Sequence, residues 1–143
     1  MRSFIYTKTI ERWDVFEAAV HGRIDGNPFV DYNIRGVFTH KNEIKHVDGF
    51  YDGDGIYKIR FMPSFTGSYT FDISGSFSSE SYHGAFESVD PTGNNHGPVR
   101  VVNTYHFEYE DGTPYYSIGT TCYAWTHQPI QLQEKTLKTL KNN

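Results

Sequence analysis

The sequence predicts a mainly β domain, from its composition and its hydrophobic patterning. The 143 residues include 24 aromatic side chains (11 Tyr, 11 Phe and 2 Trp) and 13 glycines but only three leucines, all in the last twelve residues. Aromatic residues favour strands and glycines favour turns, whereas a helical bundle needs leucine. Two segments, Ile56–Phe61 and residues 68–74, alternate apolar and polar side chains with the period of two that a half-buried strand requires.

These two alternating segments are predicted to pair as a hairpin. Residues 62–67, Met-Pro-Ser-Phe-Thr-Gly, supply the proline and glycine that a chain reversal uses. Lys58 and Arg60 should then face solvent. The side chains expected to point into the core are Tyr57, Ile59, Phe61, Tyr69, Phe71 and Ile73.

Further strands are predicted on the N-terminal side of this pair. Residues 34–39 and 44–47 should form a strand pair joined by the polar residues 40–42. Residues 10–20 fit a helical face as well as a strand face, and we favour a strand because the neighbouring segments are β. Residues 74–81 are rich in serine and glycine with few aliphatic side chains, which predicts an exposed loop.

The last third of the chain begins with a segment rich in turn residues. Residues 90–98, Asp-Pro-Thr-Gly-Asn-Asn-His-Gly-Pro, are predicted to form a linker. Residues 105–109 and 114–119 flank the turn pair Asp111-Gly112 and have the signature of a second hairpin. Residues 131–141 place the three leucines on one face and lysines outward, which predicts an amphipathic C-terminal helix.

The charge and the cysteine content exclude several classes of protein. The net charge is −4 and no basic run is present, which argues against nucleic acid as a partner. The single cysteine, Cys122, excludes an internal disulfide, and we expect a small buried residue rather than a nucleophile. Neither a membrane-spanning apolar stretch nor a signal-peptide pattern is present, so the sequence predicts a cytoplasmic protein with no membrane partner.

Acidic and histidine side chains offer few candidate metal or catalytic sites. Asp52 and Asp54 have a spacing that a calcium loop can use, but the rest of that motif is missing and we favour a glycine-supported turn. Glu108 and Glu110 would share one strand face, where a solvated edge is favoured over the facing carboxylates of a glycoside hydrolase. The seven histidines show no metal-ligand spacing, so we predict no metal site and no cofactor.

The cluster of Tyr123, Trp125 and His127 is the strongest candidate for a ligand site. Aromatic rings offer flat apolar faces to the C–H groups of a sugar, and the tyrosine and histidine can hydrogen-bond its hydroxyls. The same rings would also suit the end of a strand that packs into a core. The residues alone leave both interpretations open.

Three stretches of the sequence carry a resemblance to a known family. They are Glu-Arg-Trp-Asp-Val-Phe-Glu at residues 11–17, Gly-Phe-Tyr-Asp-Gly-Asp-Gly at 49–55 followed by Tyr-Lys-Ile-Arg-Phe-Met-Pro at 57–63, and Asn-His-Gly-Pro-Val-Arg-Val at 95–101. They resemble the small β-sandwich domain of unknown function that precedes the catalytic barrel in a group of bacterial glycoside hydrolases. Residues 111–116 and 119–128 are similar to the start of that barrel.

The resemblance implies a fold and a division of the chain. Residues 1–102 would form an accessory domain, an immunoglobulin-like antiparallel β-sandwich. Residues 103–143 would be the truncated start of a (β/α)8 barrel, with its first strand within 115–121 and its first helix at 132–141. Tyr123, Trp125 and His127 would then follow the first barrel strand, on the face where such barrels bind substrate.

The resemblance also implies a function. The chain would be the N-terminal accessory region of a glycoside hydrolase, packing on the catalytic barrel of the same polypeptide and shaping the carbohydrate cleft through residues 51–55. None of its residues would be catalytic, because the two catalytic Glu residues of such retaining enzymes lie on later strands. A stand-alone carbohydrate-binding module and a structural interaction domain are the alternatives. The unpaired strand and the uncovered helix face of a truncated barrel would lead this tail to dimerise, which gives a homo-oligomer, to fold back on the sandwich or to be mobile.

Overall fold

The computed structural model describes residues 4–142 as a mainly β chain. Within this part of the chain, strands account for most of the regular structure, and helices lie at residues 28–31 and near the C-terminal end. The strands are β1 (Phe4–Tyr6), β2 (Thr9–Glu11), β3 (Phe16–His21), β4 (Ile34–His40), β5 (Glu43–Asp48), β6 (Phe50–Gly53), β7 (Ile56–Phe61), β8 (Gly67–Gly75), β9 (Ser81–Val89), β10 (Val99–Val102) and β11 (His106–Tyr109). The helices are α1 (Pro28–Asp31), a 3-10 helix (Trp125–His127) and α2 (Ile130–Asn142).

The first nine strands form two sheets that face each other. One sheet has the strand order β1-β3-β7-β6, and the other has the order β2-β9-β8-β4-β5. The pairing of β2 with β9 is parallel, and the other pairings in these sheets are antiparallel. The apolar faces of both sheets enclose one core, as in a β-sandwich.

The alternation in β7 and β8 sets the buried face, as predicted. The side chains of Tyr57, Ile59, Phe61, Tyr69, Phe71 and Ile73 are all at most 9% exposed. Lys58 and Arg60 lie on the opposite face of β7, with their side chains 22% and 54% exposed. A register shift of one residue would exchange the two faces and lose about 1.5–3 kcal/mol for each large side chain exposed.

Aromatic rings from the two sheets interlock at the centre of the core. Phe38 of β4 stacks on Phe61 of β7, with ring centroids 4.2 Å apart and planes 7° from parallel. Phe16 of β3 is fully buried and lies 4.5 Å from Phe86 of β9, measured between ring centroids. These contacts join the two sheets, and rings of this size fill a core that contains no leucine.

The connection between β7 and β8 is not the predicted hairpin. β7 pairs with β3 and β6, whereas β8 pairs with β4 and β9 in the other sheet. Residues 62–66 therefore cross from one sheet to the other, with Pro63 fully buried. Because β7 and β8 each bury one complete apolar face, they are stable when they face each other across the core. The alternation of apolar and polar side chains is the same in this arrangement as in a hairpin, so it cannot distinguish the two.

Residues 10–20 form two strands rather than the single strand we favoured. β2 and β3 belong to different sheets, and the chain turns between them at Trp13, where φ is 71°. The Trp13 amide donates to the Pro63 carbonyl at 2.9 Å, which fixes the turn at one end of the sandwich. The strand pair predicted for residues 34–39 and 44–47 is confirmed as β4 and β5.

Residues 74–81 are only in part the predicted exposed loop. β8 continues to Gly75, and Phe77 is 4% exposed with its ring centroid 4.1 Å from that of Tyr57. A Cβ atom at Gly75 would lie 2.3 Å from the Phe77 ring. Glycine at this position therefore leaves room for an aromatic ring that closes this end of the core.

The predicted second hairpin is present only around its turn. The Gly112 amide donates to the Tyr109 carbonyl at 2.9 Å, and the Tyr115 amide donates to the Phe107 carbonyl at 3.0 Å. Residues 115–121, all described, do not form the predicted strand, and β11 pairs with β10 instead. Beyond Tyr115 these residues have no neighbouring strand along which a ladder could continue.

The C-terminal helix is present, and the three leucines of its apolar face are exposed. α2 contains no buried residue. Cys122, which we expected to be buried, is exposed, because no residue from 115 to 124 enters the core. Among the described residues, no helix has the length and apolar character needed to cross a membrane.

Candidate functional site

Segments that are distant in the sequence meet at one end of the sandwich and form an open cleft of about 670 Å³. Strands β2 and β7 both end at this end of the sandwich, and the chain leaves the sandwich at the same end through residues 90–98. We call it the Arg12 cleft. Its lining residues are Arg12, Trp13, Met62, Ser64, Phe65, Pro98, Glu110 and Asp111.

Glu11 fastens the predicted linker to this end of the sandwich. Its carboxylate accepts hydrogen bonds from the Thr92 hydroxyl, from the Thr92 amide at 3.1 Å and from Asn95 Nδ2 at 2.9 Å. These bonds, with that of the Thr92 hydroxyl the largest cause, lower the pKa of Glu11. These hydrogen bonds hold residues 90–98, the predicted linker, against this end of the sandwich.

Trp13 packs against a cation and a glycine. The guanidinium carbon of Arg12 lies 3.9 Å from the centroid of the Trp13 ring, a cation–π contact. A Cβ atom at Gly97 would lie 2.7 Å from the same ring, and Gly97 has a φ of 80°. Glycine is required here because the backbone both approaches the ring closely and adopts a left-handed conformation.

His96 and Asp111 form a hydrogen-bonded pair at the edge of the cleft. His96 Nδ1 lies 2.8 Å from Asp111 Oδ2, and the Thr113 amide donates to the other carboxylate oxygen at 2.9 Å. These bonds lower the pKa of Asp111 to about 2, and the bond with His96 is the largest cause. Asp111 is therefore ionised and already partnered at neutral pH.

A second cleft, of about 470 Å³, adjoins the first and shares Arg12 and Phe65 with it. Phe65 is 48% exposed. Its ring lies parallel to that of His40, a buried residue whose Nδ1 is 3.0 Å from the Ser68 carbonyl. Lys41 also lines this cleft and adds a second cation.

The turn at residues 51–55 lies at the opposite end of the sandwich. β3 and β7 run antiparallel from one end to the other over six residues, which span about 20 Å. Asp52 binds Lys58 Nζ at 2.7 Å, and this contact is the largest cause of the raised pKa of Lys58. Gly53 and Gly55 have φ values of 97° and 75°, so this segment is the glycine-supported turn that the sequence favours.

The predicted sugar-binding residues lie in the C-terminal segment, outside the Arg12 cleft. Tyr123 is 92% exposed, and His127 is exposed at the end of the 3-10 helix. Trp125 is half-buried, and its Nε1 donates to the carbonyl of Gln133 in α2 at 3.3 Å. A shared role of the three side chains in sugar binding stays a prediction.

The two glutamates considered as a carboxylate pair both bind one arginine. Arg100 lies 2.8 Å from a carboxylate oxygen of Glu108 and 3.5 Å from one of Glu110. Carboxylates bridged by one guanidinium on a hairpin do not face each other across a space for a sugar. This arrangement agrees with the solvated edge favoured from the sequence.

Sequence reasoning did not single out Arg12 or Phe65 as site residues. Arg12 lies within the stretch 11–17 that carries the family resemblance, but that stretch assigns it no role. Phe65 is a large aromatic residue in a Pro-Ser-Phe-Thr-Gly turn, where small and polar residues are usual. That mismatch is the signal that could have identified Phe65.

One family model matches part of this chain. Residues 9–76 match the family model described as a domain of unknown function, DUF5060. The match includes Glu11, Arg12, Trp13 and Phe65 and ends before the connection at residues 90–98. Comparison with the curated proteins gives no match.

A solved structure similar to this chain is that of a putative glycoside hydrolase from Bacteroides vulgatus ATCC 8482, determined at 1.80 Å resolution. The two are 41% identical, with a TM-score of 0.85 over 92% of this chain. This chain spans about a quarter of that protein, 26% of its length. The two findings are consistent with an N-terminal domain of the predicted kind, and a barrel start in residues 103–143 stays a prediction.

Proposed function

We propose that this chain is the N-terminal accessory region of a glycoside hydrolase and packs on the catalytic barrel of the same polypeptide. One observation carries the proposal: 41% identity over nearly the whole chain to a region that makes up 26% of a protein described as a putative glycoside hydrolase. At that identity the two regions share a fold, and the rest of a longer protein would supply the catalytic residues.

The surface of the C-terminal part supports a covering partner. Eleven large apolar side chains within residues 99–142 are at least 41% exposed, which is unusual for so many neighbouring residues. They are Val99, Val101, Tyr105, Phe107, Tyr116, Ile118, Tyr123, Ile130, Leu132, Leu137 and Leu140. Further strands and helices of a barrel would cover this surface, so we propose that residues 103–143 are the first β/α unit of the barrel.

We further propose that residues 1–102 form an immunoglobulin-like accessory domain. Its support is two facing sheets, mostly antiparallel, in about the length that such sandwiches need. The hairpin of β10 and β11 crosses the proposed boundary, and Glu11 fastens the connection before it. The sandwich would therefore hold a fixed orientation to the barrel, with the Arg12 cleft facing it.

The turn at residues 51–55 is a less direct contact for the barrel. It lies at the far end of β7 from the connection that leaves the sandwich. In the proposed protein it forms a wall of the carbohydrate cleft only if the barrel extends along the side of the sandwich. Tyr123, Trp125 and His127 follow the proposed first strand and are the side chains that we propose to contact substrate.

A stand-alone carbohydrate-binding module receives less support. Such a module would need exposed Tyr or Trp rings in a flat row on the sandwich. Between residues 4 and 102, each tyrosine and tryptophan is buried or half-buried. The exposed aromatic side chains of this part are Phe29, Phe50 and Phe65.

The test compares this chain with the product of the complete reading frame that contains it, on a panel of aryl glycosides. We expect turnover by the complete protein and none by residues 1–143 alone. A complete protein lacking residues 1–102 should lose thermal stability, because the surface that packs on the sandwich becomes exposed. Turnover by the chain alone that disappears in Glu108→Gln or Glu110→Gln would overturn the proposal.

A further inference from the structure

We propose that the Arg12 cleft binds an acidic sugar residue, a uronate, with the Arg12 guanidinium recognising its carboxylate. This inference rests on the proposed function, because a glycoside hydrolase would bring this region to a glycan. It adds a recognition site in the sandwich itself, apart from Tyr123, Trp125 and His127.

Arg12 lacks the carboxylate partner that the other described arginines have. Within residues 4–142, the remaining arginines, which are Arg23, Arg35, Arg60 and Arg100, each bind an aspartate or a glutamate. Within residues 4–142, Arg12 forms no ion pair, and its Nε is buried without a hydrogen-bond partner. Its terminal nitrogens also make no hydrogen bond to the described chain, and because Arg12 lines both clefts, these donors are open to a ligand there.

The guanidinium is held in place before any ligand arrives. The Arg12 amide donates to the Val89 carbonyl at 2.8 Å, and Asn95 Nδ2 donates to the Arg12 carbonyl at 3.0 Å. The side chain then stacks on Trp13 at 3.9 Å. A planar guanidinium fixed in this way loses little freedom when it donates to a planar carboxylate, which favours binding.

The two acidic side chains in the wall of the cleft already have partners of their own. Glu110 shares Arg100 with Glu108, and Asp111 is hydrogen-bonded to His96. In the adjoining cleft, Glu43 is paired with Lys45, whereas Lys41 forms no ion pair within the described chain. Arg12 and Lys41 are therefore the cations lining the two clefts that have no carboxylate partner within the described chain.

The remaining features of the cleft favour a sugar over a simple anion. Phe65 lines both clefts and exposes 48% of its surface, so its ring can pack on the C–H face of a pyranose. Ser64 adds a hydroxyl for hydrogen bonding, and about 670 Å³ is within the range of small-molecule sites.

The experiment titrates the full chain with digalacturonate and with diglucuronate, followed by 1H–15N NMR. We expect saturable shifts of the Trp13 indole and Arg12 Nε–H signals. The matched probe is the dimethyl ester of each disaccharide, which keeps the sugar and removes the charge. Because hydrogen bonds to a charged acceptor are the stronger ones, at least one acid should bind about tenfold more tightly than its ester.

Variants test the two recognition elements separately. Arg12→Gln should abolish the preference for acid over ester. Phe65→Ala should weaken the binding of both the acid and the ester form of the disaccharides. It should leave unchanged the binding of acetate, which reports on the carboxylate site alone. Arg35→Gln, which removes the same charge on the outer face of the sandwich, is the control and should bind like the wild type.

Three results would overturn the inference. The first is that neither acid produces saturable shifts at Trp13 and Arg12 in the wild-type chain. The second is that the acids and their esters bind with equal affinity. The third is that acetate binds as tightly as the uronates do. The first result together with glycosidase activity of the complete protein would reject this site and leave the proposed function standing. Binding by the chain without any activity of the complete protein would reject the proposed function and leave the site standing.

Discussion

Replacing Gly97 by alanine should separate the connection at residues 90–98 from Trp13. The new Cβ would lie 2.7 Å from Trp13 Cδ2 and 2.9 Å from Glu110 Cβ. Trp13 cannot move easily, because its amide is hydrogen-bonded to Pro63. Overpacking of this kind costs about 1–3 kcal/mol and a left-handed alanine about 1–2 kcal/mol, so the free energy of unfolding should fall by about 2–5 kcal/mol.

The assay is urea unfolding followed by tryptophan fluorescence in a Trp125→Phe background, where Trp13 is the only remaining tryptophan. Gly93→Ala is the matched control, because Gly93 has a φ of 59° but a Cβ there would meet nothing within 4 Å. The control should lose only the backbone contribution, about 1–2 kcal/mol. In Gly97→Ala the Trp13 emission of the folded protein should also shift to longer wavelength, because the ring becomes more exposed.

The comparison of the two variants can refute this reasoning. Equal losses of unfolding free energy in Gly97→Ala and Gly93→Ala, with an unchanged Trp13 emission maximum, would show that the close approach to the ring contributes nothing. The connection would then not depend on its packing against Trp13.

Two further predictions concern the cleft edge and the C-terminal segment. The pKa of Asp111 is about 2 in the folded protein, below its ordinary value of 3.8, so its carboxylate stabilises the fold above pH 3.8 and this contribution is lost as the pH falls toward 2. Thermal melts should therefore give Asp111→Asn a lower melting temperature than the wild type at pH 6, and this difference should shrink below pH 3.8. A difference in melting temperature that stays constant down to pH 3 would contradict the prediction. Limited chymotrypsin digestion followed by mass spectrometry should find the first cuts after Tyr116 or Tyr123, which are 78% and 92% exposed outside regular strands. First cuts after the buried Tyr57 or Tyr69 would show that the sandwich opens before this segment does.

The sequence by itself determined which side chains of β7 and β8 are buried. Alternation along β7 and β8 separates Tyr57, Ile59 and Phe61 from Lys58 and Arg60, because successive side chains of a strand point to opposite faces. The turn at Gly53 and Gly55 and the helix α2 were also predictable. Both depend on residues close together in the chain: glycines where φ is positive, and leucines that recur with the period of a helix.

Only the tertiary structure decided which sheet each strand joins and where the Arg12 cleft forms. Apolar and polar residues alternate in the same way in two strands that face each other across a core and in two strands that pair side by side. The placement of β7 and β8 in different sheets was therefore not predictable. The hydrogen bonds from Thr92 and Asn95 to the Glu11 carboxylate join residues more than 80 positions apart. Such contacts follow from how the two sheets pack and where the chain leaves them, and local residue patterns contain no information about either.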